Sequence, residues 1–338
     1  RISQFHDDLE QDQFSQELQL LGTRDNLEWI LGAYYFNEDG VNVNTLDFTV
    51  SNFRSGGSFD NEAWAIFAQG TYDLSDGLHL TLGGRYTDEQ KSFTPDQIIY
   101  QNYYAGFSSL VPADNPLAAL DAPFLLAGGR ILPLLEKDID ISEFTPMANL
   151  SYDLSDDIMV YLSYSEGFKS GGFTQRVFPP IVPPFTAPPG TADIDLIPTY
   201  DPEFVEVLEL GFKGTFADGR IRLNGALFST DYEDLQVQVF NSVAPVTQNI
   251  GKASIEGIEL ELLASPGRGW LVESSVALID ASYDEIDTSN TLIGRNNDFE
   301  RVPEVTASLG LSREMSLGDS GTLIVRGDWS YRSETFND

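Results

Sequence analysis

Glu259 and Glu261 stand two residues apart, and a pair of carboxylates is the usual equipment for acid–base hydrolysis of a glycoside. In the run IEGIELEL, however, both fall on one face of one extended segment with no flanking cleft, so they read as structural. The glycine-rich stretch GFKSGGF at 167–173 invites a second chemistry, phosphate binding. A phosphate loop needs a helix N-terminus directly after it, but a proline-rich segment follows and no Gly-Lys-Ser/Thr order is present. Glycine there suits a strand that bends as it leaves its sheet. Metal chemistry has little to work with, because the chain has no cysteine and only two histidines, His6 and His79. Disulfides and thiolate sites are excluded, and a multi-histidine zinc or iron site is not expected. The net charge of −34 repels phosphate backbones, so nucleic acid is not an expected partner. No catalytic residue, metal ligand or cofactor is therefore assigned, the chain is not expected to be an enzyme, and individual ligand contacts stay unknown.

The elements that would carry these residues alternate. Leu78, Leu80, Leu82, Gly84 and Tyr86 fall on one side of a strand, and His79, Thr81, Gly83, Arg85 and Thr87 on the other. The pattern returns in about a dozen segments, near 14–21, 27–37, 62–72, 78–88, 142–152, 158–167, 203–216, 220–234, 252–264, 270–283, 302–313 and 321–332. Nearly all are about as long as a tilted transmembrane strand, which needs ~9–11 residues. Short polar turns at 22–26, 73–77, 153–157, 217–219, 265–269 and 314–320 alternate with longer connections at 38–61, 89–141, 168–202, 235–251 and 284–301. That order belongs to an up-and-down β-barrel with two unlike rims, apolar outside and polar inside. The expected fold is all-β, a transmembrane antiparallel barrel, with no boundary that splits the chain.

Three residue sets acquire meaning in that frame. Arg85, Glu209, Lys213, Arg222, Glu259, Glu261, Glu273, Glu304, Arg326 and Asp328 fall on polar faces, where they contact a polar solute or, on the preferred reading, pair across strands. Trp29, Tyr35, Tyr72, Tyr86, Tyr152, Tyr164, Trp270, Trp329 and Tyr331 face outward near strand ends, as interface girdles do. Asp280, Asp284, Glu285, Asp287, Asp298, Glu300 and Glu304 crowd one rim; the plain reading is a solvated acidic edge, the sharper one a divalent-cation bridge to anionic lipid headgroups. The most apolar long stretch, 117–135, is broken by Asp121, Pro123, Gly128, Gly129, Arg130 and Pro133 and cannot be a spanning helix. The chain shows no signal peptide, begins at Arg1 and stops after a strand, so it reads as an internal piece of a longer protein.

Several segments together resemble the barrel region of the TonB-dependent outer-membrane receptors. They are QELQLLG at 16–22 with LEWILGAYYFNED at 27–39, LTLGGRYTDEQKSF at 80–93, VYLSYSEGFKSGGF at 160–173, PEFVEVLELGFKG at 202–214 with RIRLNGALFSTDYEDLQVQ at 220–238, and SIEGIELEL at 254–262. The resemblance implies a barrel of about 22 strands with a plug in its lumen. It also implies active uptake of a scarce solute, such as a ferric siderophore, cobalamin or a glycan. The implied partners are the TonB energy-transducing complex, the solute and the lipid of a Gram-negative outer membrane. Plug, TonB box and final strands are not in this sequence. Solute contacts are expected from the connections at 89–141, 168–202 and 284–301, the first of which is expected to carry a short helix over the barrel mouth. A passive porin and, less readily, a soluble β-sandwich share the alternation.

Overall fold

The computed structural model describes residues 3–48, 51–102, 132–175, 193–241, 244–287, 294 and 296–336. Its strands are β1 (Ser3–Arg24), β2 (Leu27–Phe48), β3 (Ser51–Ser75), β4 (Leu78–Pro95), β5 (Ile98–Asn102), β6 (Lys137–Ser155), β7 (Ile158–Lys169), β8 (Gly172–Phe173) and β9 (Thr199–Tyr200). They continue with β10 (Glu203–Phe216), β11 (Ile221–Glu233), β12 (Gln236–Asn241), β13 (Ala244–Asn249), β14 (Gly251–Gly267), β15 (Trp270–Ile286), β16 (Val305–Ser316) and β17 (Thr322–Arg332). Twelve of them form one continuous path, β1-β2-β3-β4-β6-β7-β10-β11-β14-β15-β16-β17, every neighbouring pair antiparallel. The other five strands lie within connections, so the order is up-and-down without a crossover.

Register decides which side chains share a face. Leu80 lies opposite Leu150, and that row runs on through Leu162, Leu210, Leu227, Ile258 and Leu278. From Leu150 onward these side chains are 42–52 % exposed, and among the described residues no second layer covers them. A sandwich would set another sheet about 10 Å away on this side. A barrel wall instead leaves this side to lipid, and lipid is the only surround that keeps so many leucines from water. No helix among the described residues is long and apolar enough to cross a membrane, which says nothing of strands.

All nine expected girdle aromatics share the parity of this apolar face. Sequence reasoning missed Trp64, which is 42 % exposed, lies opposite Tyr35 and packs 5.5 Å from the Tyr86 ring. Tyr72 and Trp64 are eight residues apart on β3. At about 3.3 Å per residue and a tilt of about 40° they bracket an apolar band roughly 20 Å tall, close to the height of a transmembrane barrel's.

The short turns fall where expected. The turn at Arg268 and Gly269 has φ of 55° and 75°, the left-handed pair that suits the twist of a hairpin. A Cβ on Gly269 would also lie 2.1 Å from the Glu314 carbonyl oxygen, so glycine is required there.

The long-connection end differs from expectation. Residues 38–61 are not a loop: β2 and β3 stay paired from Leu27–Tyr72 to Phe48–Ser51, over 22 residues of each strand. Residues 235–251 are mostly the β12–β13 hairpin, and both flanks of 89–141 are strand. The short helix expected within 89–141 lies outside the described residues. Above the membrane these extensions hold a small core of their own: Ile250, Ala253 and Tyr283 are buried, and Phe299 stacks on the Tyr283 ring at 4.2 Å.

Leu210→Arg in the intact protein should cost about 2–4 kcal/mol in equilibrium urea unfolding from lipid vesicles, since a guanidinium would lie near mid-membrane. Ser163→Arg, one ladder rung away on the polar face, should cost less than about 1 kcal/mol.

Candidate functional site

On the polar face, charged side chains come together in two places. Near the short-turn end, Arg326 of β17 reaches across β16 to Glu273 of β15 at 2.5 Å and binds Asp328 at 2.8 Å. A cavity of about 630 Å³ opens beside this cluster, and Arg222, Asn224 and Glu261 also line it. At this same end His79 lies between Asp73 of β3, at 2.6 Å, and Asp153 of β6, at 3.3 Å. Two of the expected lumen cations are held differently. Arg85 lies over the Tyr34 and Phe67 rings at 5.5 and 5.8 Å, and Lys213 over the Tyr161 ring at 5.7 Å, so ring faces take part of the role assigned to carboxylates. Glu209 accepts a hydrogen bond from the Tyr161 hydroxyl at 2.5 Å. Cross-strand ion pairing therefore accounts for the Arg326 cluster and not for the whole set.

Among the described residues, no group of three or more His, Asp or Glu side chains is arranged to hold a metal ion. The expected rim carboxylates include Asp280, whose backbone parity places it on the apolar face, and Asp284, which accepts from Ser254.

The second gathering point is at the opposite end, where a strap crosses the polar face. The chain leaving β7 turns inward at Ser170 and runs over β4 to β3. Lys91 of β4 donates to the Ser170 hydroxyl at 2.6 Å and to the Gly171 carbonyl at 3.0 Å, and lies 3.5 Å from Glu89. Ser170 in turn donates to Glu89. Further on, the Gln175 carbonyl accepts from two fully buried side chains, Ser55 at 3.0 Å and Gln97 at 2.7 Å. The Phe173 ring packs 5.5 Å from the buried Phe93 ring. Strands β8 and β9 pair Gly172 with Tyr200, and at the neighbouring Gly171 a Cβ would lie 2.6 Å from the Tyr200 carbonyl oxygen, so glycine is required where the strap meets β9.

Beneath the strap is a cavity of about 340 Å³. Its walls are aromatic, from Phe59, Phe93, Phe173 and Tyr200, and polar, from Glu38, Asn42, Asn61 and Lys91. The polar groups are already organised: Gln11 and Asn61 donate to Glu38, Asn44 donates to Asn42, and Asn42 donates to Asp7. Burial raises the Tyr200 phenol above its ordinary value, so it stays a protonated donor. Two of the three connections expected to contact solute thus supply parts of one cavity: Lys91 and Phe93 from 89–141, and residues 171–175 and Tyr200 from 168–202. Most of the proline-rich stretch lies outside the described residues. Glu38, Asn42, Asn61 and Phe59 sit in what the sequence reads as loop. The signal that would place them is the continued pairing of β2 with β3, which is not visible without the partner strand.

The continuous up-and-down sheet, apolar on one side and lined with charge and aromatic rings on the other, is a stretch of barrel wall. Residues 2–338 match the family model described as "TonB dependent receptor-like, beta-barrel", and the chain belongs to that family. It is 26 % identical over 233 residues to the ferric-pyoverdine 358 receptor of Pseudomonas putida, a match covering 67 % of this chain and 21 % of that protein. It is also 26 % identical over 117 residues to the probable TonB-dependent siderophore receptor PiuA of Acinetobacter baumannii, covering 32 % of this chain and 15 % of that one. The solved structure of the ferric yersiniabactin uptake receptor FyuA from Yersinia pestis superposes with a TM-score of 0.76 at 18 % identity, over all of this chain and 45 % of that one. The chain therefore spans about a fifth of the curated relatives' length and under half of the solved barrel's.

Ser55→Ala combined with Gln97→Leu removes both donors from the Gln175 carbonyl, a loss of about 1–3 kcal/mol of local stability. Amide hydrogen exchange of residues 171–175 should then speed up by about 5–150-fold, with the strand amides of β10 unchanged.

Proposed function

We propose that this chain is part of the wall of an outer-membrane receptor that takes up a ferric siderophore, with energy supplied by the TonB complex through segments outside this sequence. The observation that carries the reading is the strap-roofed cavity at the long-connection end of the polar face, where an incoming solute would first meet an organised set of side chains. The curated relatives named above are receptors for ferric pyoverdine and for a siderophore, which supports a chelated iron as the solute. The process needs no covalent chemistry. Binding residues are held by a rigid sheet, and a second partner moves the solute onward.

The test is iron-limited growth and radioiron uptake in the source bacterium. Deleting the full-length gene should abolish accumulation of one ferric siderophore, and reintroducing the gene should restore it. A proton ionophore should stop accumulation while leaving surface binding intact. Accumulation that continues with the ionophore present would contradict energised uptake and favour a passive porin.

A further inference from the structure

The charge of the solute can be read from the cavity under the strap. Lys91 is the one cation among its described lining residues. An ammonium has three N–H donors, and those of Lys91 face the Ser170 hydroxyl at 2.6 Å, the Gly171 carbonyl at 3.0 Å and the Glu89 carboxylate at 3.5 Å. It is consumed in holding the strap and offers nothing to an incoming anion. The other ionised side chain in the lining is a carboxylate, Glu38, with Asp7 behind Asn42. A polyanion placed here would meet the Glu38 carboxylate, while the Lys91 charge is already offset by Glu89 beside it, in a partly desolvated space within a chain of net charge −34. The remaining lining is aromatic, and aromatic rings favour flat π-systems in offset or tilted contact.

We propose that the cavity formed by β2, β3, β4 and the 170–175 strap selects an uncharged or cationic, aromatic part of the solute and rejects polyanionic chelates. This rests on the ferric-siderophore reading above and narrows it: the iron chelate carries a flat aromatic part and no large negative charge where it meets the wall. Phe59 is the proposed platform: among the described lining residues it is half-buried, whereas Phe93 is fully buried. Glu38, held by Gln11 and Asn61, is the group that sets the sign.

The experiment uses the intact receptor in detergent and three ferric probes, with intrinsic fluorescence quenching as the readout. The probes are a neutral tris(hydroxypyridinone) complex, which is aromatic; a trianionic tris(catecholate) complex, also aromatic; and a neutral tris(acetohydroxamate) complex, which is not. The neutral aromatic complex should bind at least tenfold more tightly than either of the others. Phe59→Ala should weaken it at least fivefold. Glu38→Gln should leave it within threefold while strengthening the trianion at least threefold. Heat-modifiable electrophoretic mobility reports that each variant is folded. A trianion that binds as tightly as the neutral aromatic complex, or a folded Glu38→Gln variant with unchanged preference, would overturn the charge assignment. An unchanged affinity in Phe59→Ala would overturn the aromatic platform. Failure of the siderophore reading looks different: no probe binds and deleting the gene leaves iron-limited growth unaltered, which overturns both.

Discussion

The structure depends on one constraint, an unbroken antiparallel ladder whose side chains alternate between two solvents. Along β4, β6, β7, β10, β11, β14 and β15 the register keeps leucine or isoleucine opposite leucine on one face, so a slip of one residue in any strand would turn its charges toward lipid. At about 2–4 kcal/mol for a cation near mid-membrane, that slip is strongly disfavoured at every strand. The same parity gathers Arg85, Lys213, Glu209, Glu273 and Arg326 on the opposite face without any motif to recruit them. The aromatic shelves under Arg85 and Lys213 show how that face accommodates charge. Each cation lies on a ring carried by another strand, Tyr34 or Phe67 for Arg85 and Tyr161 for Lys213.

Beyond the apolar band the constraint relaxes and a different one takes over. Neither face of β2 and β3 then meets lipid, and pairing continues because backbone groups still need partners. Order at this end comes from contacts between elements far apart in the chain. The Tyr283–Phe299 stack closes a small core, and the strap is fixed by Lys91, Ser55 and Gln97, which lie 78 to 120 residues from the atoms they hold. A rigid wall thus carries an end built from clamped segments, where a binding surface can differ between relatives without disturbing the ladder.

How much of this is legible in the sequence follows from the same division. Within the membrane the period of two is imposed by lipid, so the strand from Leu78 to Tyr86 and the turns at Asp25, Gly77 and Arg268 can be read residue by residue. Above it, Asp39, Gly40, Asp60 and Gly56 look like loop, because no apolar solvent enforces alternation there; only the register shows them as strand. The β12–β13 hairpin left a faint signal in the alternating Val237 and Val239 opposite Gln248 and Val246. The strap left none: Gly171 and Gly172 mark a bend, yet nothing local says that Phe173 will meet Phe93. Trp64 stands near the start of the 62–72 segment, beside residues that look like loop, and only its register opposite Tyr35 shows that it shares the girdle face.

The central claim is the two-solvent parity of the wall, and the absence of cysteine from this stretch of it makes it directly measurable. Single cysteines introduced along β10 from Glu206 to Phe212, spin-labelled in the intact receptor in lipid vesicles, would report accessibility to oxygen and to a water-soluble nickel chelate. The structure predicts a period of two, with Leu208, Leu210 and Phe212 open to oxygen and Val207, Glu209 and Gly211 open to the chelate or shielded from both. Equal oxygen accessibility on both sets, or a phase that places Glu209 in lipid, would contradict the account.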